Sequence, residues 1–202
     1  MSGDLKIDPR RTAVLCMDFQ AGIVRNYADG ADGLLTRTAV LLDAARRAKA
    51  LVGYVKVWFR PGYPEVSANN QSFATIRQTG RFAGDAPGSE IHPRVAPHDG
   101  DFIVTKHRVG AFQGTDLDMI LRANGIDTLV LAGVATSGVV LSTVRYAADA
   151  DYRLIVIADC CADVDAEVHR VLMDKVFTRQ AKVVDSNDVV AALRAGSSPA
   201  PA

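Results

Sequence analysis

The stretch Leu129-Val130-Leu131-Ala132-Gly133-Val134-Ala135-Thr136-Ser137-Gly138-Val139-Val140 decides the fold. Its apolar opening reads as a strand covered on both faces, its small residues as a tight turn, and its last residues as the first turn of a helix. Such a βα unit belongs to a parallel sheet. Two further apolar runs end on charge. Thr12-Ala13-Val14-Leu15-Cys16-Met17 leads into Asp18, and Phe102-Ile103-Val104-Thr105 leads into Lys106. Three such ends side by side place a carboxylate, an ammonium and a backbone turn around one pocket.

Outward from these runs, the same alternation covers the chain. Strands are expected at 12–17, 52–59, 102–105, 127–132, 153–158 and 182–184, all short and rich in valine and isoleucine. Helical spacing of apolar residues recurs at 33–50, where Leu34, Leu41, Leu42 and Ala45 share a face, and at 115–124, where Gly125 is a stop. Further helices are expected at 137–149, 164–179 and 186–195, with a weaker one near 72–80. Strand alternating with helix predicts an α/β fold, a single-domain, doubly wound (Rossmann-like), six-stranded parallel sheet flanked by helices, with right-handed crossovers. The domain is read as residues 1–195 and the tail 196–202 as disordered, being Gly, Ser, Pro and Ala only. In such a sheet the ligand crevice lies at the carboxyl ends of the strands, where strand order reverses.

One connection is long. Between Phe59 and Phe102 run residues 60–101, with several prolines and glycines. Loops beyond about 15 residues in a compact domain are usually functional or disordered. Two readings stand for it: an arm between subunits, or a lid that brings Arg60, Tyr63, Phe73 or Arg81 to the pocket.

Composition excludes several classes. A chain of 202 residues with 49% apolar and 23% charged residues is ordinary for a globular protein. At that size it buries about 70% of its unfolded surface. The formal net charge is zero, which gives no electrostatic case for nucleic acid or an anionic membrane. No apolar run approaches the ~20 residues of a membrane helix. Met1-Ser2-Gly3-Asp4-Leu5-Lys6 has no apolar core of a secretory signal. Three cysteines, two adjacent, make no disulfide framework, so a cytoplasmic location is expected.

Three motifs, in this order and spacing, carry a family resemblance: Ala13-Val14-Leu15-Cys16-Met17-Asp18-Phe19-Gln20, Thr105-Lys106-His107-Arg108-Val109-Gly110-Ala111-Phe112, and Leu131-Ala132-Gly133-Val134-Ala135-Thr136 with the helix after it. Over roughly residues 8–185 the chain resembles the isochorismatase-like (cysteine hydrolase) superfamily, which includes nicotinamidases, N-carbamoylsarcosine amidases and isochorismatases. The resemblance implies a six-stranded parallel sheet flanked by helices. In the amidase branch it implies an Asp-Lys-Cys triad at Asp18, Lys106 and the position of Val139, with the thiol attacking the amide carbonyl. It further implies an oxyanion hole from amides of the turn and a non-proline cis peptide at Val134-Ala135. Gln20, Phe112, Val134, Ala135, Thr136, Ser137 and Gly138 are the candidate contacts to substrate or oxyanion.

Valine has no nucleophile. Isochorismatases proper also lack the cysteine, carrying glycine there, and use the Asp as general acid. Protonation of an enol-ether carbon gives an oxocarbenium ion, which water captures with release of pyruvate. An apolar pocket raises a carboxyl pKa as this chemistry requires. Valine is bulkier than glycine, so the family's substrate contacts do not transfer as a set.

No other residue is an evident replacement for the thiol. Ser137 reads as a helix cap, and Ser142 and Thr143 have no recognisable histidine base beside them. Cys16, Cys160 and Cys161 read as small buried residues. The segment Phe59-Arg60-Pro61-Gly62-Tyr63-Pro64-Glu65 lacks the Asp-x-His pair of nicotinamidases, and His92, His98, His107 and His169 have no zinc-like spacing. By strand alternation His107 points away from Lys106. No metal and no cofactor is implied, and no glycine-rich loop follows the first strand. Arg60 is a surface arginine or the partner of a substrate carboxylate.

Three functional readings follow. The first is a metal-independent hydrolase of a small molecule, a carboxylated one among the candidates, with Asp18 as general acid/base and Lys106 as its electrostatic partner. The second is a non-catalytic small-molecule-binding or assembly subunit. The third is an amidase with a relocated nucleophile. The resemblance also implies a homodimer or homotetramer.

Overall fold

The computed structural model describes residues 5–27 and 30–196. Six strands, β1 (Thr12–Met17), β2 (Leu51–Val57), β3 (Phe102–Lys106), β4 (Thr128–Val134), β5 (Arg153–Ala162) and β6 (Lys182–Val184), form one sheet in the order β3-β2-β1-β4-β5-β6. Every neighbouring pair is parallel. The chain therefore starts in the middle, winds outward through β2 and β3, then crosses to β4 and winds outward the other way. Strand order reverses between β1 and β4, and Asp18 and Ala135 follow those two strands directly.

Seven α-helices flank the sheet: α1 (Ala21–Tyr27), α2 (Ala31–Arg47), α3 (Gln71–Thr79), α4 (Leu117–Ala123), α5 (Leu141–Asp149), α6 (Ala166–Val171) and α7 (Ser186–Gly196). Period-2 alternation along each strand sorts the core into two layers. Val14, Cys16, Val130, Ala132, Ile155 and Ile157 face one way, onto Leu41, Leu42, Val189 and Leu193 of α2 and α7. Ala13, Leu15, Met17, Leu129, Leu131 and Val156 face the other, onto Leu117, Leu121, Val144 and Ala147 of α4 and α5. Both faces are covered, so β1 is buried at all six positions. Full burial of one such Leu side chain stabilises by about 1.5–3 kcal/mol.

Several expected boundaries shift. β2 ends at Val57 rather than Phe59, because Phe59 leaves the ladder: its amide donates to Phe82 O at 2.7 Å and its carbonyl accepts from Gly84 N at 3.1 Å. β5 runs to Ala162 instead of 158, rejoining β4 beyond an irregularity between Leu131 and Gly133. The helix expected at 137–149 opens with a wide π-type turn at Thr136–Val140 before α5. The one expected at 164–179 is α6 followed by a π-type turn, Leu172–Val176, and a 3-10 turn, Phe177–Arg179. Gly196, assigned to the tail, is the last residue of α7. The rest of the expected tail, 197–202, lies outside the described residues. α1 went unanticipated, being short and opening on Ala21-Gly22.

The 58–101 connection returns along the carboxyl edge of the sheet. The Phe59 bonds above join two parts of the connection to each other, and an antiparallel bridge of Gln20 with Ile91 ties it to the segment after β1. Beside that bridge Ala21 N donates to Glu90 O at 2.9 Å and His92 N to Phe19 O at 2.8 Å. The backbones of Gly22 and Gly88 touch. A Cβ on Gly88 would lie 2.9 Å from Gly22 Cα, and Gly88 has φ +83°, so only glycine fits there.

Candidate active site

Asp18 breaks the β1 conformation immediately after Met17, with φ 58°, a left-handed geometry uncommon for a residue with a Cβ. Its amide remains bound to Val55 O at 2.8 Å, so the turn is anchored on β2. Lys106 ends β3, two strands away. Its Nζ crosses β2 to lie 2.9 Å from Asp18 Oδ2, the two side chains being 3% and 8% exposed. The same ammonium donates to Arg108 O and Val109 O, each at 3.1 Å. All three ammonium protons therefore have acceptors. Asp18 Oδ1, in contrast, is buried with no hydrogen-bond partner. Burial pushes the Asp18 carboxyl above the usual carboxylate range; the Lys106 charge pulls it down without cancelling that effect.

Both residues line a cavity of about 470 Å³. Val134, Ala135, Gly138 and Val139 form its β4 side, Ile23 and Tyr27 of α1 a second side, and Phe73, Ile76, Arg81 and Phe82 of the long connection a third. The connection thus forms a wall of the cavity, with Phe73 and Arg81 in the lining and Arg60 and Tyr63 outside it.

The turn after β4 sits tightly on the sheet. A Cβ on Gly133 would come 2.8 Å from Val140 Cγ2 and 3.3 Å from Val139 Cγ1, so glycine there lets the valines approach. Val134–Ala135 is a cis peptide. Ala135 O accepts from the amides of Gly138 at 3.1 Å and Val140 at 3.3 Å, while Ser137 N donates to Asp163 Oδ2 at 2.7 Å. The Ser137 and Gly138 amides, among the residues expected to hold an oxyanion, are thus engaged within the fold. Thr136 Oγ1 and His169 Nδ1 share a hydrogen bond of 2.8 Å, which fastens the turn to α6.

Of the residues singled out in the sequence, Asp18, Phe73, Arg81, Lys106, Val134, Ala135, Gly138 and Val139 meet at the cavity. Gln20, Phe112, Arg60, Thr136 and Ser137 are not in its lining. Gln20 is fully buried and acts as a clamp. Its Nε2 donates to Val57 O at 3.0 Å and Ser89 O at 2.8 Å, and its Oε1 accepts from Val57 N at 2.8 Å. Phe112 lies in the opposite core layer, stacked on Tyr146 with ring centroids 4.6 Å apart. Arg60 is an exposed side chain paired with Glu65. Thr136 is buried behind the turn. Ser137 is exposed, and no side chain caps this turn, which corrects the expected helix-cap role.

His107 does turn away from the dyad, its Nδ1 donating to Trp58 O at 2.6 Å. Cys160 is pushed up to about 12 by burial, and Cys16 and Cys161 are likewise buried and raised, which makes all three poor nucleophiles. Among the described residues no helix is long and apolar enough to cross a membrane. Ile23 and Tyr27 were missed because the short α1 carries too few residues to show a helical period. Ser72 and Thr75 were missed because nothing local marks which face of α3 meets the cavity.

Comparison with known proteins agrees with this architecture. The isochorismatase domain family matches residues 12–188. An isochorismatase family protein of Bacillus subtilis (strain 168), YwoC, is 35% identical over 182 residues, covering 90% of this chain and 94% of its own. A maleamate amidohydrolase of Pseudomonas putida is 28% identical over 189 residues, covering 92% of this chain and 88% of its own. The crystal structure of a cysteine hydrolase from Pseudomonas syringae pv. phaseolicola superposes with TM-score 0.87 at 25% identity, covering 97% of this chain and all of that one. With the six-stranded parallel sheet and a family match across nearly its whole length, the chain belongs to the isochorismatase family of hydrolases.

Proposed function

We propose that this protein hydrolyses a small molecule by direct general acid/base catalysis at Asp18, without a covalent enzyme intermediate and without a metal. The observation that carries the reading is Asp18 Oδ1. It is an unpartnered, buried carboxyl oxygen at the wall of a cavity, on a carboxyl whose pKa is raised and whose other oxygen is held by Lys106. A protonated carboxyl in that position presents an acid to the ligand; its conjugate base stays stabilised by the ammonium 2.9 Å away.

Val139 stands where the resemblance places a thiol; the described cavity lining holds no cysteine, and its hydroxyls, Tyr27, Ser72 and Thr75, lie on α1 and α3 rather than on the turn after β4. Ser137 is exposed and outside the cavity lining, and the cysteines are buried and raised. Acid-initiated cleavage is therefore favoured over acyl transfer. For an enol ether, the Asp18 proton passes to the vinylic carbon and the π-bond breaks to leave an oxocarbenium ion. Water then adds to the oxygen-bearing carbon of that ion and loses a proton to the Asp18 carboxylate. The hemiketal collapses to an alcohol and a ketone, and the acid is restored.

The test is pyruvate release from isochorismate, with maleamate in parallel and intact mass recorded during turnover. Release of pyruvate that is lost in Asp18→Asn, with no mass increase on the protein, is the expected result. An acyl adduct on the protein would instead establish a relocated nucleophile. Ligand binding with no turnover of either compound would favour a non-catalytic role.

A further inference from the structure

The cavity holds three charged side chains, and two of them, Asp18 and Lys106, neutralise each other. The third is Arg81. It forms no ion pair with any described residue; its charge meets only the Gly22 carbonyl, at 3.2 Å from Nη2, and the face of Phe82, 4.8 Å from Cζ. A guanidinium has five N–H donors, so most of this one's hydrogen-bonding capacity is unused among the described residues.

Its position is fixed from both sides. Arg81 N donates to Ile76 O at 3.3 Å, closing α3, and Arg81 O accepts from Tyr63 Oη at 2.8 Å. Phe82 O accepts from Phe59 N at 2.7 Å, and the Phe82 ring holds the guanidinium plane by cation–π contact. The rest of the lining is mostly apolar, with Ile23, Val57, Phe73, Ile76 and Phe82 beside the hydroxyls of Tyr27, Ser72 and Thr75. Among the described lining residues the net charge is positive whether Asp18 is protonated or ionised.

We propose that Arg81 is the receptor for a substrate carboxylate, and hence that the ligand is a small carboxylate with an apolar body. The planar fork of Arg81 takes the two carboxylate oxygens. The body lies against Ile76, Phe73 and Val57, and the bond to be cleaved falls at Asp18. That the ligand is a substrate rests on the hydrolase reading above; the anion site itself does not. Arg60, the carboxylate partner considered from the sequence, is committed to Glu65 outside the cavity.

The experiment is a calorimetric titration of the whole protein with benzoate, its neutral counterpart benzamide, and phenyl phosphate. The variants are Arg81→Gln, Arg81→Lys and, separately, Asp18→Asn. Benzoate should bind at least about tenfold more tightly than benzamide, as expected of a charge-assisted pair. Arg81→Gln should erase that preference and Arg81→Lys retain part of it, with thermal unfolding showing both variants folded. Asp18→Asn should keep benzoate binding. Equal binding of benzoate and benzamide, no benzoate binding at all, or an undiminished preference in folded Arg81→Gln would overturn the proposal. Phenyl phosphate binding in preference to benzoate would overturn the carboxylate assignment. Loss of the preference through Arg81 alongside full turnover by Asp18→Asn would leave the anion site standing and remove Asp18 from the reaction.

Discussion

Lys106 Nζ and Asp18 Oδ2 lie 2.9 Å apart across an intervening strand, at the ends of β3 and β1. β2 lies between the two strands, and Asp18 leaves the β1 conformation with φ 58°. A buried pair of this kind is costly to break from one side only, since the remaining partner is left charged or unsatisfied.

Lys106→Met tests that cost. The substitution leaves Asp18 without its counter-charge and two carbonyls without their donor. A loss of about 3 kcal/mol in unfolding free energy is expected near pH 8. The sign of its pH dependence follows from the carboxyl. Without Lys106 the folded-state pKa of Asp18 rises further, so folding favours the protonated acid at low pH and that stability is lost as pH rises through the folded pKa. Denaturant titrations at pH 5 and pH 8 should show a smaller loss at pH 5. Equal losses at both would mean that the pair contributes no net charge interaction.

The raised Asp18 pKa sets the rate profile as well. A general acid is active while protonated, so turnover should be high below this pKa and fall as pH climbs through it. A profile of kcat against pH checks this; a rate that rises across the same range would assign Asp18 to the base role from the start.

Gly133→Ala probes the approach of the turn to β4. The new methyl would meet Val140 Cγ2 at 2.8 Å, and valine is stiff at χ1, so the turn must lift. Overpacking of this sort costs about 1–3 kcal/mol. Because Val139 and Gly138 line the cavity, ligand affinity should fall along with thermal stability. A stability loss with unchanged affinity would show that the turn does not set the cavity's shape.

His169 gives a different pH signature. Burial lowers its pKa, the effect of Asp163 and Asp174 being smaller and opposite. The unfolded chain then takes up the proton first, so stability falls as pH drops below about 6.5. His169→Gln should flatten that limb while keeping a hydrogen-bond partner for Thr136. An unchanged limb in unfolding curves between pH 5 and 7.5 would place the titration elsewhere.

The sequence was most readable where structure is set locally. β1 is found at its expected bounds, 12–17, because six consecutive buried residues sit between charged ones. The charge at its end marks the crevice, since a carboxylate directly after a fully buried strand has only the sheet edge to occupy. The long connection was opaque for the opposite reason. Its path depends on distant partners: Gln20 with Ser89, Trp58 Nε1 with Gly84 O at 2.9 Å, Tyr63 with Arg81. No local pattern distinguishes Arg60, which meets Glu65, from Arg81, which meets the cavity. Gln20 and Phe112 sit inside recognisable motifs, yet one is a backbone clamp and the other a core ring. Membership in a motif marks a position in the fold as readily as a contact with ligand.

The central claim is that the Asp18 carboxyl transfers the proton in the reaction. The most direct measurement is the initial rate of pyruvate release from isochorismate by wild-type protein and by Asp18→Asn, with circular dichroism confirming the fold of both. A drop of at least about 100-fold in the variant is predicted, in the range usual for loss of a general acid or base. A wild-type rate from well-folded Asp18→Asn would contradict the account.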